Sequence, residues 1–202
     1  MIDSLKMRFG LLGRNISYSF SKGHFTDKFK DPVFEGYTYE NFDIEDINYF
    51  TELIKNNPDL RGLNVTIPYK EAILPFLDKL SKKATAIGAV NTIKFTKKGK
   101  LKGYNTDYYG FKKSLEPLLQ PHHTKALILG TGGAAKGVAF ALEELGILYT
   151  FVSRENKEKT IRYDLLNETV FENHTIIINT TPLGTSPNTA NFPDIPYEFF
   201  TE

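Results

Sequence analysis

The chain has 202 residues, 41% of them apolar and 24% charged, with 25 Lys and Arg set against 24 Asp and Glu. So even a balance leaves no electrostatic footprint for a nucleic acid or an anionic membrane surface. The absence of cysteine excludes disulfides, thiolate nucleophiles and Cys-based metal sites, and no His cluster suggests another metal. No apolar run approaches the roughly 18 residues of a membrane span, and the opening residues lack the apolar stretch of a signal peptide, so a cytoplasmic protein is expected.

Met7–Leu12 reads as a first strand ended by Gly13. In the polar loop that follows, Ser17, Ser19 and Ser21 alternate, which can set two hydroxyls on one face for a carboxylate or hydroxyl ligand; a generic serine-rich loop reads the same way. A helix is expected around His24–Phe29 and a strand at Tyr37–Phe42. Asp43 then reads as the N-cap of a helix with Ile47, Phe50, Leu53 and Ile54 on one face, and Pro58 lies just beyond its end. Leu63–Ile67 is a buried strand running through Pro68 into a helix from about Tyr69. Lys70 falls in that helix's first turn, where the dipole opposes its charge and favours proton transfer; a solvated surface lysine is the plain alternative. Val90–Phe95 and Leu101–Tyr104 flank a turn with Gly99, a hairpin. Asn91 and Thr92 are polar within that apolar strand, so they either satisfy a neighbouring loop or face a polar ligand. Asp107, after Asn105 and Thr106, either caps the next helix or serves a site.

Tyr108–Leu119 has helical spacing, and Gln120–Thr124, with Pro121, reads as a boundary. Lys125–Leu129 restarts as a buried strand and is followed by Gly130, Thr131, Gly132, Gly133, Ala134 and Ala135, which fit G-x-G-x-x-G/A. The helix Ala134–Leu145 then ends at Gly146, and Leu148–Val152 and Thr175–Ile178 supply two further strands. In such a loop Gly130 permits the tight turn, Gly132 lets backbone approach a pyrophosphate, and Ala135 stays small for helix–strand packing. NAD-binding chains place an acid near the end of the next strand; here Ser153 and Arg154 stand there. Arg154 suits a 2′-phosphate, with Lys157 and Lys159 adding positive field and Glu155 opposing it, so NADP is favoured over NAD. Only about two dozen residues follow Ile178, rich in Pro, Asn and Thr, so the second α/β half is expected to be incomplete.

Taken together these residues resemble the shikimate dehydrogenase family. Its serine loop stands at Tyr18–Ser21, its N-V-T-x-P-x-K motif at Asn64–Lys70, G-A-V-N-T at Gly88–Thr92 and N-T-D at Asn105–Asp107. The Gly-rich loop is Gly130–Gly137 and the I-N-x-T-P-x-G motif is Ile178–Gly184, all in the family's order. The resemblance implies an N-terminal α/β substrate-binding domain with a mixed sheet over 1–106, a linking helix and linker over 107–123, and a Rossmann-like NADP-binding domain over 124–202. It implies reversible NADPH-dependent reduction of 3-dehydroshikimate to shikimate, in aromatic amino-acid biosynthesis, by a monomer or homodimer. Lys70 and Asp107 become the catalytic pair, and Ser19, Ser21, Thr66, Asn91 and Asp107 the shikimate ligands. The Gly130–Ala135 loop, Ser153, Arg154, Thr180 and Pro182 become the cofactor's neighbours. A quinate-using paralogue, or a shortened form that binds without turning over, are the alternatives. Lys22 replaces the family's proline after the serines, and Ser153-Arg154-Glu155 replaces its N-R-T cofactor signature.

Overall fold

The computed structural model describes residues 7–155 and 159–200; Lys157 lies outside the described residues. The chain divides into two units, Met1–Thr106 and Asp107–Glu202.

The first unit runs β1 (Met7–Gly13), α1 (Ser21–Lys28), β2 (Tyr37–Asp43), α2 (Phe50–Asn56), β3 (Leu60–Val65), α3 (Tyr69–Ala72), β4 (Lys79–Leu80), α4 (Lys82–Ile87), β5 (Thr92–Phe95) and β6 (Leu101–Tyr104). Its strands form one mixed sheet in the order β2-β1-β3-β5-β6-β4, with β1 parallel to β2 and β3, and β5 antiparallel to β3 and β6. Successive strand residues face opposite sides. Leu12, Leu63 and Val65 therefore pack with Phe50, Tyr69 and Ile73 on one face, while Leu11 packs with Ile16, Tyr39 and Phe25 on the other. Both faces of β1 are buried, which is why it reads as an unbroken apolar run rather than an alternation.

Several local expectations are corrected. Asp43 is not a helix cap: it ends β2, and its carboxylate accepts from the backbone N–H groups of Asn15 (2.8 Å) and Ile16 (3.0 Å), closing the loop after β1. The cap is Asp46, which accepts from Asn48 N–H at 2.8 Å and starts a 3₁₀ turn ahead of α2. The helix holding Lys70 is a single turn of four residues followed by a 3₁₀ turn at Leu74–Phe76. One turn stacks too few peptide dipoles for the field expected there. Helix α1 begins at Ser21, three residues before the expected His24. Helix α4 was not anticipated, although Ser81 caps it through Ala84 N–H and Gly88, at φ 71°, ends it.

The second unit runs α5 (Asp107–Leu115), β7 (Lys125–Leu129), α6 (Gly133–Glu144), β8 (Leu148–Ser153), β9 (Thr160–Arg162), α7 (Glu168–Asn173) and β10 (Ile176–Asn179). Its four strands are all parallel, in the order β10-β7-β8-β9. β7 is buried from Ala126 to Leu129, with α6 on one face through Ala135, Val138 and Leu142, and Leu166, Phe171 and Ile195 on the other. Helix α5 packs on α6, fixed by Tyr108 edge-on to Phe140 and by Lys112–Glu144 at 3.1 Å. Strand β9 and helix α7 were not anticipated; Asn167 caps α7 through Val170 N–H. In sheet order, β7 is flanked by the next strand on one side and the last on the other, so the direction of winding reverses between β7 and β10. Ligands of open α/β sheets bind outside the carboxyl ends of the strands at such a switch point.

Candidate active site

In the first unit, the segment Ala89–Asn91 ties the other motifs together. Val90 N–H donates to the Lys70 carbonyl at 2.7 Å and Asn91 N–H to the Tyr104 carbonyl at 3.0 Å, while the Asn91 carbonyl accepts from Val65 N–H at 2.8 Å. Buried peptide groups must be paired, and here the pairing is what joins the motifs. The Asn91 side chain is 8% exposed; its Oδ1 accepts from Thr106 N–H at 2.8 Å and its Nδ2 donates to Thr106 Oγ1 at 2.9 Å. Asn105, 5% exposed, donates through Nδ2 to the Ala89 carbonyl at 3.1 Å. Both amides hold the chain immediately before Asp107, the first residue of α5. From the sequence Asn105 reads only as part of the N-T-D motif, with no role of its own; a polar amide just past the end of β6 is the signal that marks it.

Lys70 is half-buried, and its turn is anchored by its neighbour Tyr69, which is buried and donates its hydroxyl to the Ile44 carbonyl at 2.6 Å. Thr66 continues the sheet one residue past β3, its N–H donating to the Leu12 carbonyl at 2.9 Å. Gly13 sits against it: a Cβ there would come within 2.7 Å of Thr66 Cγ2 and 2.5 Å of Ile16 Cγ2. The loop after β1 is thereby laid beside Thr66. In that loop Ser19 and Ser21 are half-buried and Ser17 is exposed, and Ser19 Oγ accepts from Ser21 N–H at 3.3 Å at the start of α1. The structure thus brings Thr66, Lys70 and Asn91 onto one hydrogen-bonded frame.

In the second unit, Gly130 has φ +108°, and a Cβ there would lie 2.9 Å from Thr180 Oγ1. Thr180 is itself fixed, its N–H and hydroxyl both donating to the Leu129 carbonyl at 3.0 and 2.6 Å. The Gly-rich loop and the I-N-x-T-P-x-G motif thus meet at the switch point, with Pro182 exposed two residues on. At Gly132 a Cβ would meet nothing within 4 Å. Among the described residues no side chain caps α6, a helix of 12 residues, so its first-turn N–H groups at Gly133, Ala134 and Ala135 lack a side-chain acceptor there. Open space at Gly132 beside uncapped amides is what a pyrophosphate requires, and Thr131 is half-buried within the same loop. Ala135 is 0% exposed, the small residue where helix meets sheet. Ser153 is 6% exposed, and its Oγ accepts from Glu155 N–H at 3.2 Å, leaving Arg154 as the exposed cation at the end of β8. These residues fit a dinucleotide with a 2′-phosphate.

A two-unit α/β protein with a mixed-sheet first unit and a dinucleotide-binding second unit is the class this fold defines. Residues 11–93 match the family model described as the shikimate dehydrogenase substrate binding domain. The chain is 41% identical to the shikimate dehydrogenase (NADP(+)) of Clostridium botulinum over 192 residues, which covers 89% of this chain and 72% of that protein. Among solved structures, shikimate dehydrogenase from Aquifex aeolicus superposes with a TM-score of 0.83 at 30% identity, covering 98% of this chain and 77% of that one. The shikimate 5-dehydrogenase of Thermus thermophilus, solved in complex with NADP(H) and shikimate, gives a TM-score of 0.80 at 31% identity, over 96% of this chain and 75% of that one. The chain belongs to the shikimate dehydrogenase family.

Proposed function

We propose that this chain is an NADP-dependent shikimate dehydrogenase, which interconverts 3-dehydroshikimate and shikimate on the route to the aromatic amino acids. The hydrogen-bonded frame around Ala89–Asn91 carries this reading, because it joins the Thr66–Lys70 run and the run into Asp107 to itself, three separate stretches of sequence. NADPH, when bound on the Gly130–Ala135 loop with its 2′-phosphate at Arg154, supplies the hydride. Lys70 gives the proton to the substrate's C3 oxygen in the reducing direction and takes it back in the oxidising one. Asp107 shares that proton and orients the same hydroxyl, so Lys70 and Asp107 act as a pair on one oxygen. Ser19, Ser21, Thr66 and Asn91 read the remaining carboxylate and hydroxyl groups, while Ser153, Thr180 and Pro182 line the cofactor. The chain acts in the cytoplasm, as a monomer or homodimer.

Steady-state assays with shikimate and quinate, each against NADP⁺ and NAD⁺, test the assignment. Shikimate with NADP⁺ is expected to be the fastest pair, and Lys70→Ala to lower kcat by about 10²–10⁴-fold, the contribution of one general acid–base group. A Lys70→Ala enzyme that turns over at the parent rate removes the role given to Lys70. A preference for quinate with NAD⁺ removes the substrate assignment.

A further inference from the structure

We infer that Tyr39 is a positioning residue for the shikimate site, holding the Asn64 side-chain amide with its NH₂ group turned towards substrate oxygens. This rests on the function proposed above. Tyr39 lies on β2, is 5% exposed, and donates its hydroxyl to Asn64 Oδ1 at 2.8 Å. Asn64 is two residues before Thr66 on the same strand run, so the two side chains share a face of the sheet. An amide oxygen engaged by a phenol leaves its NH₂ on the other side of the planar group, and Asn64 Nδ2 has no hydrogen-bond partner among the described residues. Two donor hydrogens without a protein acceptor, beside Thr66, suit a hydroxyl-rich ligand.

Two further observations make Tyr39 a fixed support. Its ring stacks on Phe25 of α1 at 4.4 Å between centroids and 13° between planes, so one side chain braces both the serine-loop helix and Asn64. Burial also pushes its phenol well above the ordinary tyrosine range, so it remains a donor throughout the working pH range. Along the sheet, Asn64 is level with Leu11, which has no side-chain donor, and with Thr92, whose hydroxyl donates to Asn91 Oδ1 at 3.1 Å instead.

Tyr39→Phe keeps the ring and its stacking and removes only the hydroxyl. The expected result is a shikimate KM raised about ten-fold, the size of one hydrogen bond, with kcat and the NADP⁺ KM within about two-fold of the parent. Introduced into Asn64→Ala, the same change is expected to do nothing more to the shikimate KM. A purely structural role would move both KM values or kcat, and would act equally in either background. An unchanged shikimate KM in a folded Tyr39→Phe enzyme overturns the inference, as does an equal effect with and without Asn64. Asn64→Ala alone decides the matter if Tyr39→Phe does not fold, since an unchanged shikimate KM there also overturns it. Failure of the parent chain to bind shikimate by calorimetry would instead bring down the functional assignment, and this inference with it.

Discussion

Asn91 exemplifies what one polar side chain does inside an apolar strand. Its carboxamide spans to Thr106, fifteen residues on, as acceptor from the backbone N–H and as donor to the hydroxyl. The sequence permits two readings of this residue, a loop partner or a ligand, because its partner is distant along the chain and the local pattern carries no trace of it. The structure supplies the loop contact; the ligand role stays within the proposed function. Removing the side chain strands these bonds in a site that is only 8% exposed. Asn91→Ala is therefore expected to lose about 1–3 kcal/mol of stability, read as a lower urea midpoint with an unchanged m-value. A midpoint equal to the parent's would show that Asn91 does not hold the run into Asp107. Lys70 and Arg154 are different cases: each looks like an ordinary surface cation by itself, and only neighbouring motifs give it a role.

At the scale of elements, the long or strongly patterned pieces were legible and the short, capped ones were not. The Gly130–Ala135 loop is recognisable because φ +108° at Gly130 demands glycine, while Gly132, which the fold alone does not require, leaves open the space a pyrophosphate would approach. Asp43 misleads because an acid before an apolar helical stripe is the usual cap, whereas the true cap, Asp46, lies three residues on and Asp43 is spent on the loop after β1. Helices α4 and α7 are six residues each, too short to show a period, and only their caps at Ser81 and Asn167 announce them. The contact between α6 and β8 carries a pH dependence. Tyr149 on β8 donates its hydroxyl to Glu143 of α6 at 2.7 Å, and burial, then this bond and the nearby carboxylate, push its phenol from 10.0 to about 12. The folded pKa is above the unfolded one, so this stabilisation is complete below about pH 10 and is lost as pH rises through about 12. The thermal midpoint is expected to fall across that window, and to fall less steeply in Tyr149→Phe. Superimposable pH profiles for the two proteins would show that the pair contributes nothing to the coupling of helix and strand.

Over the whole molecule, each buried cluster draws its residues from one unit: Leu12, Phe50 and Ile73, and separately Leu11 and Tyr39, in the first; Ala126, Leu142, Leu129 and Phe171 in the second. The two units therefore have their own apolar cores, and the residues assigned to the two ligands divide along the same line. Serine loop, Thr66, Lys70 and Asn91 belong to the first unit; Gly130–Ala135, Arg154 and Thr180 belong to the second. Only Asp107, at the junction, is assigned to shikimate from the second unit. A ligand stabilises what it binds by RT ln(1 + [L]/Kd), about 2.7 kcal/mol at a hundred times Kd, and slows only exchange that requires opening of that region. Amide hydrogen exchange is thus expected to resolve the two ligands. NADP⁺ at a hundred times its Kd should slow the β7 and α6 amides by up to about a hundred-fold, with much smaller changes in β1 and β3. Shikimate should protect β1, β3 and the Ala89–Asn91 segment instead. Equal protection of β1 and β7 by NADP⁺ would mean that both units open as a single cooperative body, and separate cores would then not imply separate stability. Protection of β1 and β3 by NADP⁺ with none in β7 and α6 would go further and remove the cofactor from the Gly-rich loop.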